Sequence, residues 1–486
     1  MTISSSTSAA APQSTASGAP DERLLGRGLG VGSIVFMVVA AAAPLGVVAA
    51  NVPLVMSVSG TMSAPLYFSA ATVILLLFSV GYAAMSRFVP NAGAFYSYVQ
   101  AGLGRFVGTG AALVALVSYV LLFVGVNAYV GVATAGVVET FTGAVVPWWL
   151  LSIVSMIVIG LLGYRDIELS SKVLGVLLIA ETLVVVVMDV AIFAQGGAEG
   201  LSGQSWSPAE LAQGTPSLGL MFAFFCFIGF EATAVFRNEA KDPDRTVPRA
   251  TYIAVIGIGV FYAVSSWLVV VGIGSSAAVE TATNDPENAV LDLAQTFVGP
   301  VLSDIMQVLL ATSFFACVLS FHNVITRYLF TLGRKSVLPS GLGAVHAQHR
   351  APSRASLATS TVTGILMLIA IVAGLDPVAE VYTWLSGSAT LGLVLLMALT
   401  SVAVIAFFSR RSSEAGVFTR VIAPALAAIG LGAVSLLVIQ NLALLVGSVA
   451  AAVSVSTLIA ASFAAGLIVA AVMRSRRPGK FAALVD

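Results

Sequence analysis

The sequence predicts an all-α integral membrane protein of twelve membrane-crossing helices, the first and sixth discontinuous. Three observations predict it. Of its 486 residues, 58% are hydrophobic and 9% charged, with a mean hydropathy of +1.02, whereas a soluble domain carries about 25% charged residues. Twelve apolar stretches approach or exceed the ~20 residues that a helix needs to cross a bilayer. All 22 Lys and Arg fall in alternate connections between those stretches.

The spans lie near 31–58, 63–86, 106–137, 147–164, 168–194, 216–238, 251–273, 301–332, 357–374, 382–408, 421–443 and 447–473. With the N-terminus inside, the cytoplasmic segments hold every basic residue, from Arg23 and Arg27 to Arg474, Arg476, Arg477 and Lys480. The opposite connections hold acids, among them Glu139, Glu199, Glu287 and Asp376, and no Lys or Arg. One missed or extra span would scramble this pattern, so both termini are placed in the cytoplasm and the protein in the plasma membrane.

Residues 1–25, rich in Ser, Ala, Thr and Pro, are read as a disordered cytoplasmic tail. Residues 26–410 hold the first ten spans. Residues 411–474 hold the last two, read as scaffold or dimer surface, so monomer and homodimer both stay open. Residues 475–486 are expected to form a cytoplasmic C-terminal tail.

Two spans are interrupted. In the first, Ala40-Ala41-Ala42-Ala43-Pro44-Leu45-Gly46 lies near the centre, with Asn51 and Pro53 following. Pro44 removes a backbone donor and clashes with the preceding turn, and Gly46 eases the opening. In the sixth, Ile228-Gly229-Phe230 precedes Glu231, a carboxyl that costs about 3 kcal/mol at mid-membrane even on lenient scales. Interruptions five helices apart point to a binding site built from two repeats of five spans. Five is odd, so the repeats enter the membrane from opposite sides.

Other classes fare worse. Cys226 and Cys317 lie inside apolar spans and read as small buried hydrophobes rather than a disulfide or metal pair. His322, His346 and His349 lack the spacing of a metal motif, and no nucleophile–base pair or phosphate loop suggests an enzyme. No span shows the polar rings of a channel. A sensor that binds without translocating is the alternative from another class.

The stretch GFEATAVFRNEAKDPDRTVPRA, from Gly229 to Ala250, resembles the sixth-helix signature of the amino acid–polyamine–organocation (APC) superfamily. Asn91-Ala92-Gly93-Ala94-Phe95-Tyr96-Ser97-Tyr98 is similar to the segment before the third span of these permeases. Phe321-His322-Asn323 through Leu338-Pro339 is similar to the end of their eighth. Together these matches span roughly residues 25 to 410. In the first-helix break many members carry a Gly-rich motif, where this chain has Ala-Ala-Pro-Leu-Gly.

The resemblance implies the LeuT-type fold, a 5+5 inverted repeat, and a permease that imports an amino acid or small amine by alternating access. No cofactor, metal or nucleic acid is expected; the partners are the small-molecule substrate and the lipid bilayer. Free amides after Pro44, near Gly46, would face the substrate carboxylate. Free carbonyls around Ala41, Ala42 and Ala43, and at Phe227 and Ile228, would accept from its ammonium. Phe227 and Phe230 would wall the side-chain pocket beside Gly229, with Ile228 a further candidate.

Four polar residues are candidates for coupling or gating: Glu181, Glu231, Ser313 and Ser320. Glu181 lies mid-span among Leu177, Leu178, Val184 and Val185, where a charged carboxyl is costly to desolvate. It is a candidate proton carrier, or else a neutral carboxyl bonded across helices. Asp189, two turns outward, reads as interfacial. Glu231 reads either as a cap on the break or as a gating or proton-sensing group. Ser313, Cys317, Ser320 and Asn323 share a face of the eighth span. The serines would bind sodium as in sodium-coupled members of the fold, or simply bond between helices. Proton symport is favoured over sodium symport and over exchange.

Overall fold

The computed structural model describes residues 29–89, 95–165, 171–231, 233, 240–346, 352–411 and 416–485. The N-terminal tail, the Asn91–Ala94 stretch and Arg237 lie outside them. The described residues contain no named strand, only an isolated bridge between Leu29 and Ala240.

In chain order the main helices are α1 Val31–Ala41, α2 Pro44–Ser59, α3 Ala64–Met85, α4 Phe95–Leu103, α5 Arg105–Thr142 and α6 Trp148–Tyr164. Then come α7 Ser171–Gln195, α8 Pro216–Phe225, α9 Pro243–Ile273, α10 Ala278–Asn284 and α11 Ala289–Phe297. The last are α12 Pro300–Arg334, α13 Ser353–Val372, α14 Pro377–Ser409, α15 Phe418–Leu445 and α16 Val449–Arg476. Among the described residues nine helices are long and apolar enough to cross a membrane, or ten with α1 and α2 taken as one span bent by 41°. α6 and α8 are shorter apolar helices.

α5 is the central pillar, packing on α6, α12, α14 and α16. Small residues let its neighbours approach: a Cβ on Gly466 of α16 would lie 2.5 Å from the Cα of Gly110, too close for any larger side chain. The outward faces of α6 and α13 stay apolar, with Val154, Val158 and Leu161 on one and Leu357, Ile365 and Leu368 on the other, all exposed. Such faces suit contact with lipid chains. Buried polar groups bond between helices, as His322 Nε2 does to Ser356 Oγ at 3.0 Å and Asn127 Nδ2 to Ser152 O at 3.1 Å.

Two boundaries differ from expectation. α5 runs on to Thr142, where Gly143 turns left-handed with φ of 70° and stops it. α9 begins at Pro243, two turns before the expected 251, and carries Pro248 inside. Pro243 fits the first helical position because no donor is needed there. Pro248 cannot bond the carbonyl of Asp244, which instead accepts from Arg87 Nη2 at 3.2 Å.

The C-terminal segment is folded back on the helix ends. Leu484 is 3% exposed, packed in a small apolar cluster with Leu332 and Val337. Its carbonyl accepts from Lys335 Nζ at 3.0 Å.

Candidate functional site

The first break follows from the residue order. The residue before a proline is disfavoured in the right-handed helical region; Ala43 leaves that region for the left-handed one, at φ 47°, ψ 67°. A left-handed alanine costs roughly 1–2 kcal/mol, so the strain must be held by surrounding contacts. The carbonyl of Ala42 accepts from Tyr262 Oη of α9 at 3.2 Å. The carbonyl of Gly46 accepts from Asn51 Nδ2 at 3.3 Å, and Asn51 Oδ1 accepts from Tyr382 Oη at 2.8 Å. A π-helical turn, Val47–Asn51, then precedes Pro53.

The second break begins where α8 ends. Phe227 N bonds Phe224 O and Ile228 N bonds Phe225 O, both at 3.0 Å, a tightened turn that cannot continue as an α-helix. Gly229 then takes φ 114°, a conformation only glycine adopts without strain. Glu231, 8% exposed, ties the turn off. Its Oε2 accepts from Gly229 N at 2.8 Å and its Oε1 from Tyr119 Oη of α5 at 2.9 Å. Its own carbonyl accepts from Tyr82 Oη of α3 at 3.1 Å. The carboxylate thus ties the turn at Gly229 to α5.

A small cavity lies between the breaks. Ala42, Ala43 and Gly46 line it from the first break, and Phe225, Cys226 and Ile228 from the second. α12 adds Phe314, Cys317 and Phe321, α5 adds Val126, and Asn51 supplies a side-chain amide. A Cβ on Gly46 would stand 3.2 Å from Phe314 Cζ, so glycine sets how deep the cavity reaches there.

Of the residues expected at the site, Ala42, Ala43, Gly46 and Ile228 face this cavity. Pro44 is buried beside it. Ala41 ends α1, its side chain lying outside the described set. Phe227 and Phe230 do not wall this cavity; both are 1% exposed and pack as core. Phe227 meets Tyr262 edge-on at 5.8 Å, and Phe230 meets Phe78 at 5.9 Å. They line a second, narrower cavity on the far side of Ile228, with Glu231 and Met397. On the tightened turn both rings point away from the first cavity into the second, which a linear pattern does not reveal.

Sequence reasoning missed Phe225, Phe314 and Phe321 as wall residues. A signal existed: Phe314, Cys317 and Phe321 recur at spacings of three and four, one stripe of a helix. The cysteines, read as packing residues, are unpaired thiols in the same wall.

Behind the wall lies the carboxyl of Glu181, 4% exposed. Ser313 Oγ of α12 donates to its Oε2 at 3.0 Å, and the start of α2 packs on α7. Glu181 thereby joins α7 to α12. Ser320 is not brought to this cluster: it is exposed and its hydroxyl bonds Ala316 O of its own helix at 3.0 Å. Asp189 is 7% exposed because α9 covers it, and Ser265 Oγ donates to its Oδ2 at 2.6 Å.

Outside the spans, Glu287 between α10 and α11 has its carboxyl pushed up to about 7 by burial first, then by the neighbouring Asp376 and Asp285 charges. Exposed Glu199 is held below its usual range by hydrogen bonds from Ser276.

The family profile described as amino acid permease matches residues 29–477. The chain is similar to the branched-chain amino acid permease BcaP of Bacillus subtilis (strain 168), 25% identical over 368 residues, covering 72% of this chain and 73% of that protein. It is 25% identical over 339 residues to the aromatic amino acid transport protein AroP of Escherichia coli (strain K12), covering 68% and 71%. A third relative is the low-affinity putrescine importer PlaP of Escherichia coli (strain K12), 25% identical over 299 residues, covering 60% and 63%. With its helices, its two breaks and this match along nearly its whole length, the chain belongs to the amino acid permease family of the APC superfamily.

Proposed function

We propose that the protein is a secondary active transporter that imports an amino acid or related small amine across the plasma membrane by alternating access. It crosses the membrane twelve times with both termini in the cytoplasm, in the LeuT-type arrangement of two inverted five-helix repeats. The observation that carries this reading is the cavity flanked by two helix breaks, Ala42–Gly46 on one side and Phe225–Ile228 on the other. Backbone freed from helices is tolerated at membrane depth only where it is buried in protein or lines a cavity, and here it does both.

Transport is coupled to protons in this reading, with Glu181 as the carrier and Ser313 as the residue that positions it. The helix that carries Glu181 packs on α12 and on the start of α2, and its carboxyl bonds Ser313 of α12. Adding or removing one proton there changes which donors it holds, and so changes the hold between α7, α12 and the second half of the broken helix. Sodium coupling through Ser313 is the competing reading.

Uptake of a radiolabelled amino acid and amine panel into proteoliposomes tests it, with proton and sodium gradients imposed separately. Proton-driven accumulation that is lost in Glu181→Gln supports the assignment. Sodium-driven accumulation indifferent to Glu181→Gln would move coupling away from the carboxyl. Counterflow without net uptake would make the protein an exchanger, and no flux of any compound would favour a sensor.

A further inference from the structure

We infer that the site takes a zwitterionic α-amino acid with an uncharged, apolar side chain and rejects amino acids and diamines that carry a second charge. The inference rests on the permease reading above and deepens it. The cavity between the breaks has two kinds of wall. One is backbone and small side chains, Ala42, Ala43 and Gly46, together with the Asn51 amide. The other is apolar: Phe225, Ile228, Phe314, Phe321 and Val126, with the two thiols between them. Among the described lining residues there is no Asp, Glu, Lys, Arg or His.

A zwitterionic headgroup can be met by peptide dipoles at the broken ends. A second charge on the ligand would face rings, an isoleucine, a valine and thiols. An ion taken out of water without a partner loses several kcal/mol after relaxation, which sets an expected discrimination of at least ~100-fold at about 1.4 kcal/mol per tenfold. Glu181 does not supply that partner. Its carboxyl stands outside the lining, already bonded by Ser313 Oγ. The depth of the site is limited where Phe314 lies over Gly46.

The chain carries its own reporters. It has two cysteines in all, and both Cys226 and Cys317 stand in this wall. The unaltered protein can therefore be probed with methyl methanethiosulfonate. The cysteine thiolate attacks the sulfenyl sulfur, a methyl disulfide forms on the protein, and methanesulfinate leaves.

The test uses the full chain purified in nanodiscs, with two readouts. The first is competition by L-leucine, L-valine, L-phenylalanine, L-lysine, L-glutamate and putrescine against a bound radiolabelled member of the panel. The second is the rate of methylthiolation at Cys226 and Cys317, followed by mass spectrometry with and without each compound. Apolar amino acids are expected to bind ~100-fold or more tightly than the charged compounds, and to slow methylthiolation at least ~10-fold where lysine and putrescine do not. Tighter binding of lysine, glutamate or putrescine would overturn the inference and leave the permease reading standing. So would leucine binding that leaves the reaction of both thiols unslowed, since that places the bound ligand elsewhere. If no compound of any class binds and none crosses in proteoliposomes, the permease reading itself falls.

Discussion

Replacing Glu231 separates a cap from a proton-handling group, because glutamine and alanine differ in what they leave behind. The carboxylate accepts two hydrogen bonds, from Gly229 N and Tyr119 Oη, in a site 8% exposed. A hydrogen bond to a charged group contributes about 1.5–3 kcal/mol net, and one between neutral groups about 1 kcal/mol. Glutamine can keep both contacts: its oxygen accepts from Gly229 N while its amide donates to the Tyr119 oxygen. Glu231→Gln should therefore cost about 1–4 kcal/mol, the charge-assisted share of the two bonds. Glu231→Ala loses both partners, strands the Gly229 donor and leaves a void, for a cost of about 4 kcal/mol or more. The assay is thermal unfolding in detergent, followed by intrinsic fluorescence, beside proteoliposome uptake for each variant. A cap predicts a graded loss of stability, Ala well below Gln, with Glu231→Gln still transporting. A Glu231→Gln protein as stable as the parent but unable to transport would refute the cap, since only the ionisable proton would then have been removed.

Ser313→Ala should destabilise by about 1 kcal/mol through the lost donor to Glu181 and should weaken gradient-driven accumulation. Ser320→Ala, whose hydroxyl only bonds its own helix, should match the parent in both unfolding and uptake. Gly46→Ala pushes a methyl against the Phe314 ring at 3.2 Å, so it should depress uptake of the bulkiest accepted compound most, read as a shift in substrate ranking across the panel. Glu287 has a folded-state value of about 7, raised above its ordinary 4.5. The folded state thus binds that proton more tightly, so its contribution favours folding below the unfolded value and is lost as pH rises from about 4.5 to about 7. After solvent screening the loss should be of order 1 kcal/mol, seen as a fall in unfolding temperature over that window, and Glu287→Gln should flatten it.

The membrane class, the helical content and the two breaks were legible in the sequence because each has a strictly local cause. Hydropathy marks the spans, Pro44 must eject Ala43 from the helix, and Gly229 followed by Glu231 has no use inside an unbroken apolar one. Glu181 stood out for the same reason, an acid among leucines and valines. What could not be read was direction. Phe227 and Phe230 flank Ile228 by one and two positions, yet on a tightened turn they face the α3 and α9 side while Ile228 reaches both cavities. Ser320 has the right spacing from Ser313, but its surroundings leave it exposed. The helical period says which residues of α12 share a face, not which neighbour that face meets. That information lies in the packing of α12 on α5 and α7, between residues far apart in the chain. The consequence for the site is specific. Under the proposed function its polar chemistry would be carried by local backbone breaks, and its selectivity by Phe225, Phe314 and Phe321, which only long-range packing brings to one wall. Substitutions at those aromatic positions would then alter the wall without disturbing the turns.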